Sequence, residues 1–170
     1  MYIYNMKFTQ TLFLLLISIV SFSQTKLDSL VLVEINSYRS SKGLDSVVYS
    51  TINFKASIHH SKYLVRTGKI GHTEDTLVST SDRVKFYGGK CTHIGENVTS
   101  LSLNFKDSDD KFLNKISKDI VKSWINSPDH NKILLSDFKF AGVSCVNTTR
   151  STGIKGWSNI SVVSTLVLTN

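Results

Sequence analysis

Three short, turn-rich stretches of the sequence hold the side chains best suited to chemistry. They are IGHTED with His72, HIGENV with His93 and Glu96, and SPDHNKILL with Ser127 and His130. Two neutral imidazoles and one carboxylate are a ligand set that holds zinc or copper with an open coordination position. The same set can position and polarise water. Because the stretches lie at least 20 residues apart, only the fold decides whether these groups meet.

Each of these residues also has a purely structural interpretation. A single histidine in a loop is usually a solvated surface group, and Glu96 could be a buried scaffold acid bonded to backbone amides. The spacing differs from the i, i+4 histidine pair of helical zinc proteases. The sequence has no GxSxG elbow, and Ser127 three residues before His130 does not make a triad, so serine hydrolysis is not favoured.

The elements that must position these side chains are mostly helical. Apolar residues recur at three and four residue steps, which is typical of helices with one buried face. The predicted helices run from Leu27 to about Gly43, from Thr51 to Thr67, from Ser81 to Tyr87, from about Lys111 to Asn126, and through SPDHNKILL.

Strands follow late in the chain. FKFAGVSCV and ISVVSTLVL are rich in β-branched residues and are separated by the turn-forming NTTRSTGIKG. A further strand is expected from Ile94 to Leu103. Helices first and strands late predict an α+β fold, with an antiparallel sheet covered by helices. Trp124 and Trp157 are both expected in the core.

The first 23 residues read as a cleaved signal peptide. Lys7 precedes the apolar run LFLLLISIV, and SFSQ supplies small residues before Gln24. The apolar run of about 11 residues is shorter than the roughly 20 needed to cross a bilayer. The sequence therefore predicts that residues 24–170 form a single mature domain with no membrane span. Its location is secreted or extracytoplasmic: the periplasm, the cell surface or the extracellular space.

Export affects how the two cysteines are interpreted. An oxidising compartment favours a disulfide between Cys91 and Cys145. The alternative is a pair of buried thiols.

The formal net charge of the chain is +7. The basic residues are scattered along the sequence rather than packed into one block. This distribution predicts general attraction to anionic surfaces and no nucleic-acid footprint.

Five segments in a fixed order carry a family resemblance: HSKYL, GHT, GENV, VKSWINSPDHNKILL and FKFAGVSC. Over roughly Leu27 to Val146 the chain resembles the CAP superfamily of cysteine-rich secretory proteins, antigen 5 and plant pathogenesis-related proteins, in its bacterial secreted branch. The resemblance implies a three-layer α-β-α sandwich with a central antiparallel sheet. It also implies a surface cleft that holds two histidines and two glutamates.

Three of the four cleft positions carry over, as His72, Glu96 and His130. The fourth is Ser127, where animal members of the superfamily have glutamate. A hydroxyl in place of a carboxylate removes one negative charge and one acid or base, so a mechanism that needs paired carboxylates is disfavoured. Glu74 or His93 could contribute instead, although the family pattern supports neither.

Two functions are compatible with this cleft. The first is a secreted, non-enzymatic binding module whose His72, Glu96 and His130 hold a divalent metal such as zinc or a small polar ligand. Its loops or sheet would contact a lipid, glycan or protein. The alternative is an extracellular metal-dependent hydrolase in which both histidines hold zinc and Glu96 activates water.

Overall fold

The computed structural model describes residues 24–90, 92–106 and 111–170. The predicted signal peptide, residues 1–23, lies outside these ranges. The described residues form five helices: α1 Lys26–Ser41, α2 Thr51–Thr67, α3 Thr80–Phe86, α4 Phe112–Ile125 and α5 Pro128–Leu134. All five coincide with predicted helices. Within the described part of the chain, no helix has both the length and the apolar character to cross a membrane.

Local side chains set the helix boundaries. Thr25 and Asp28 form a capping box at the start of α1, and Ser79 and Asp82 form another at the start of α3. Each box satisfies backbone N–H groups that have no partner within the helix. Helix α2 ends at Gly68, whose φ of 68° is left-handed and therefore favours glycine.

The four strands form one sheet with the order β1-β3-β4-β2. Their bounds are β1 Val48–Tyr49, β2 Ile94–Lys106, β3 Phe140–Ser151 and β4 Trp157–Thr169. The three long strands are antiparallel, as predicted, and the two-residue β1 adds a parallel pairing with β3 that makes the sheet mixed. So short a strand has no periodicity to detect.

The β3–β4 hairpin differs from its prediction. The β3 strand continues through Ser151 and β4 begins at Trp157, so only residues 152–156 connect them. Half of the expected turn NTTRSTGIKG, residues 147–151, is therefore strand. Trp157 is 43% exposed at this hairpin, so its predicted core position is wrong, whereas Trp124 is fully buried as expected.

The helices cover both faces of the sheet, which confirms the three-layer α-β-α sandwich. Leu166 on β4 belongs to the main core with residues of α1 and α4, whereas its neighbour Val167 packs with Ala56 of α2 and Val84 of α3. Successive side chains of a strand point to opposite faces. Helices α1 and α4 therefore lie on one face, and α2 and α3 lie on the other.

Helix α2 approaches β3 unusually closely. A Cβ atom added to Gly142 would collide with the backbone of Asn53 and Phe54. The contact is polar as well, since the Ser57 hydroxyl donates to the Gly142 carbonyl at 2.6 Å and the Ser61 hydroxyl donates to the Ser144 carbonyl at 3.1 Å. Glycine at position 142 thus sets the separation between this helix and the sheet.

We expect Gly142→Ala to lower the free energy of unfolding by about 3 kcal/mol or more, because the helix backbone must move to accommodate the methyl group. Gly71→Ala is the matched control, since Gly71 has open space around it and no positive φ. Chemical denaturation of both variants measures the difference. Equal stability of the two would contradict the close packing of α2 on β3.

The predicted Cys91–Cys145 disulfide stays a prediction, because Cys91 lies outside the described residues. Among the described residues, Cys145 has a free, buried thiol. Its Sγ atom lies 2.7 Å from the Ser164 hydroxyl oxygen, and its backbone N–H donates to the buried Asp28 carboxylate. Burial, followed by the charge of Asp28, raises the pKa of this thiol well above its ordinary value. Cys145 therefore serves as a small core residue with an unreactive thiol.

Candidate functional site

The site is built around Arg83, whose side chain projects from α3 and is fully buried. Its guanidinium donates to the carbonyl oxygens of His72 at 3.4 Å and Leu77 at 3.2 Å, and to the Thr80 hydroxyl at 3.2 Å. These bonds hold the loop between α2 and α3 against the rest of the domain. The position of His72 therefore depends on an arginine eleven residues later in the chain.

Two buried carboxylates from different elements flank this guanidinium. Glu96 Oε2 on β2 lies 2.6 Å from Arg83 Nη2, and Glu74 Oε1 in the loop lies 3.4 Å from Nη1. Removing charges from water is costly unless each has an opposite charge and hydrogen bonds nearby. The arginine meets this requirement for both acids, so it links the loop to the sheet.

The Gly-Glu-Asn triplet at the start of β2 uses both faces of the strand. Gly95 and Asn97 face α5: a Cβ at Gly95 would collide with Ile133 and Phe138, and the Asn97 amide donates to the His130 carbonyl at 3.0 Å. Glu96 points the other way and accepts a hydrogen bond from His72 Nδ1 at 3.0 Å. The triplet thus fixes the position of His72 relative to α5, the helix that carries His130.

The pKa values of this pair shift in opposite directions. Burial is the largest influence on Glu96 and acts to raise its pKa, but the hydrogen bond from His72 and the charges of Arg83 and His60 outweigh it, so the pKa lies below its usual value. The bond to Glu96 raises the pKa of His72, against a smaller opposing effect of burial. Both shifts favour an imidazolium–carboxylate pair.

His130 completes the cleft from the first turn of α5. Its ring centroid lies 6.4 Å from that of His72. Burial, and then the charge of His72, lowers the pKa of His130 below its usual value. The two imidazoles therefore differ: one is held by a carboxylate and favours its proton, whereas the other favours the neutral form.

The structure thus brings His72, Glu96 and His130 together, and it places the other predicted residues elsewhere or at the margin. Ser127 is half-buried at the start of α5, one turn before His130, and caps no backbone N–H with its hydroxyl. His93 is exposed and stacks on Phe138 with ring centroids 4.7 Å apart. Within the described residues, no group of three histidine, cysteine, aspartate or glutamate side chains is arranged to hold a metal ion.

A second cluster beside the cleft was not predicted. His60 is fully buried, with Nδ1 2.7 Å from Glu74 Oε1 and Nε2 2.8 Å from the Gly71 carbonyl oxygen. His59 Nε2 lies 3.1 Å from Glu74 Oε2, and its Nδ1 lies 3.0 Å from the Tyr87 hydroxyl. Glu74 therefore does not replace the missing cleft carboxylate.

One sequence signal could have singled out His60, although not its partners. His60 lies four residues from both Ala56 and Leu64, on the buried stripe of α2, where an ionisable side chain requires a partner. Its partner Glu74 lies in a loop and follows no periodic pattern. The pairing is therefore visible only in the folded chain.

Residues 32–164 match the model of the Cysteine-rich secretory protein family, known as CAP. The chain belongs to this family. Among curated proteins, none matches the sequence.

Solved bacterial structures share the fold at low sequence identity. An extracellular protein with an SCP domain from Bacillus anthracis has a TM-score of 0.59 at 18% identity over 84% of this chain and 45% of its own. An outer surface protein from Borrelia burgdorferi has a TM-score of 0.60 at 20% identity over 87% of this chain and 96% of its own. A cysteine-rich secretory protein from Staphylococcus aureus has a TM-score of 0.51 at 18% identity. That match covers 85% of this chain and 38% of its own. The chain thus spans less than half of the first and third proteins.

The opposite shifts of the two cleft histidines can be measured directly. We expect the His72 imidazole to titrate above the ordinary value of 6.5 and the His130 imidazole below it. Glu96→Gln should lower the pKa of His72, because the neutral amide no longer stabilises the imidazolium while the Arg83 charge remains. Histidine side-chain NMR spectra recorded across a pH series give each pKa.

Asp75→Asn is the control for this experiment, since it makes the same chemical change at an exposed carboxylate in the same loop. An unchanged His72 pKa in Glu96→Gln would contradict the pairing.

The free energy of unfolding, measured across a pH series, provides a second readout of this pair. The lowered pKa of Glu96 means that its ionised form stabilises the fold above pH 4.5, and that this contribution is lost as the pH falls through the folded pKa. Glu96→Gln should therefore reduce the loss of unfolding free energy on acidification, because this carboxylate no longer takes up a proton.

We expect Arg83→Met to lower the free energy of unfolding by about 3–5 kcal/mol, because it leaves two buried carboxylates without their shared cation. Arg66→Met removes the same group from the exposed face of α2 and should cost within about 1 kcal/mol. Denaturant titrations at neutral pH compare the two. Similar losses of unfolding free energy in both variants would show that Arg83 does not stabilise the two buried carboxylates.

Proposed function

We propose that the protein is an extracytoplasmic CAP-domain binding module, and that the cleft of His72, Glu96 and His130 holds a divalent cation or a small polar ligand. The observation that carries this proposal is the pairing of His72 with Glu96. The imidazole is 54% exposed, while the carboxylate that holds it is only 4% exposed. A rigid, buried acid that presents an exposed histidine is an arrangement suited to binding.

The donor set fits a zinc ion through the two histidines. A hydrogen bond from His72 Nδ1 to a carboxylate fixes the ring and leaves Nε2 as the ligand atom, as in many metal-binding histidines. His130 would supply the second nitrogen, and solvent or the bound ligand would supply the rest. The 6.4 Å between ring centroids is longer than tetrahedral coordination of one zinc ion allows at about 2.1 Å per nitrogen, so the two imidazoles would have to move closer together on binding. Zinc would supply a Lewis acid that polarises a bound oxygen.

In this proposal Glu96 orients the imidazole of His72, which would bind the metal, and does not itself coordinate the metal. Its Oε1 atom accepts from His72 and its Oε2 atom accepts from Arg83. An acid engaged at both oxygens is poorly placed to take a proton from water. With serine at position 127 and Glu74 turned toward His59 and His60, the cleft offers no second carboxylate among these residues. These contacts favour binding over the hydrolase alternative.

Location outside the cytoplasm is supported by two independent observations. The sequence begins with a signal-like segment. The similar structures are described as an extracellular protein, an outer surface protein and a secretory protein. Together they favour an extracytoplasmic location without choosing among the periplasm, the cell surface and the extracellular space.

Zinc titration by calorimetry tests the cleft. We expect one site of roughly micromolar affinity that weakens as the pH falls, because protons compete for the imidazole nitrogens. His72→Ala and His130→Ala should each abolish binding, with little change in the thermal unfolding of the metal-free protein. His93→Ala, which removes an exposed imidazole outside the cleft, is the matched control.

The variants also separate the alternatives. Zinc bound by the wild type and equally by both cleft variants would place the metal elsewhere and overturn the proposal. Zinc-dependent hydrolysis of peptide, ester or glycan substrates that Glu96→Gln eliminates would establish the hydrolase instead. Binding without turnover supports the binding module.

A further inference from the structure

The solvent-facing side of α2 carries a row of basic side chains. Lys55, His59, Lys62 and Arg66 recur at steps of four, three and four residues, so they share one face of the helix, and Lys69 follows just beyond its end. This face lies opposite the residues that pack on the sheet. Like charges at this spacing repel each other. From Lys55 to Arg66 the row spans about 17 Å, taking 1.5 Å per residue.

A pocket opens at the middle of this row. Its volume is about 510 Å³, and it lies between α2, the loop that contains Thr76, and the end of α3. Tyr63 and Tyr87 contribute aromatic walls, while Lys62 and Arg66 lie at its margin. The Arg66 guanidinium carbon is 5.5 Å from the centroid of the Tyr63 ring. The pocket therefore combines flat apolar surfaces with cations.

The pocket is also lined by two carboxylates, Glu74 and Asp75, and both are engaged by protein groups. Glu74 is buried, accepts a hydrogen bond from His60, lies 3.1 Å from His59 Nε2 and faces Arg83, so three side chains surround its carboxylate. Asp75 is exposed and accepts a hydrogen bond from the Tyr63 hydroxyl at 3.1 Å. The basic row extends beyond both acids in each direction along the helix. The net field of this face is therefore positive.

From this geometry we propose a second binding site, formed by the basic row and the pocket, that takes an acidic polysaccharide. Carboxylate or sulfate groups along the polymer pair with Lys55, Lys62, Arg66 and Lys69. One sugar ring enters the pocket, where tyrosine rings offer rigid amphipathic contact area. A recessed pocket suits a polymer segment better than a flat bilayer. The choice of a glycan over a nucleic acid rests on the proposed extracytoplasmic location.

Binding of defined polymers to the purified protein tests the site. Dextran sulfate and polygalacturonate oligosaccharides should bind at low ionic strength with an affinity that falls as salt is added, and neutral dextran should not bind. The double variant Lys62→Glu with Arg66→Glu should weaken binding by about tenfold or more, since two attractive charges become repulsive. Thr76→Trp, which fills the pocket without changing the charge, should also weaken it.

The matched control is Lys118→Glu with Lys122→Glu, which makes the same charge change at the same spacing on exposed positions of α4. It should retain binding within about twofold. Equal losses in the two double variants would show a diffuse charge effect and overturn the site. Binding only to phosphatidylserine vesicles or to an oligothymidine strand would overturn the assignment to polysaccharide. Loss of zinc binding in His72→Ala leaves this test unaffected, so the two proposals fail independently.

Discussion

The buried charge of Arg83 is the constraint on which the site depends. Two carboxylates from separate elements, Glu74 and Glu96, lose their hydration in the fold, and the guanidinium contacts both. Such a group must be compensated at short range. The loop between α2 and α3 consequently has one position relative to β2, and the exposed His72 inherits that position from groups hidden beneath it.

The same charge network separates two surfaces with different properties. On one side, Glu96 presents a half-exposed His72 beside His130. On the other side, Glu74 is enclosed by His59 and His60 beneath an aromatic pocket. Two acids that share one arginine thus have different roles, because their remaining partners differ.

Helix α2 links the fold to both surfaces. Its inner side carries hydroxyl groups that bond to β3 carbonyls, at a separation that only Gly142 permits. Its flank supplies His60 to the buried network. Its outer side bears the basic row. Because the inner contacts fix the helix so closely, the backbone positions from which its other side chains project are fixed as well.

Sequence patterns were sufficient for the five helices and the three long strands. Apolar periodicity indicated α1, α2 and α4, whereas turn-forming residues at their ends indicated the short helices α3 and α5. The family motifs in turn selected His72, Glu96 and His130. The sequence could not reveal β1, the length of the β3–β4 hairpin, the exposure of Trp157 or the His60–Glu74–Arg83 network. Each of these depends on which distant residues meet. A buried charge is tolerable only beside its partner, and partners separated along the chain are brought together only by the tertiary structure.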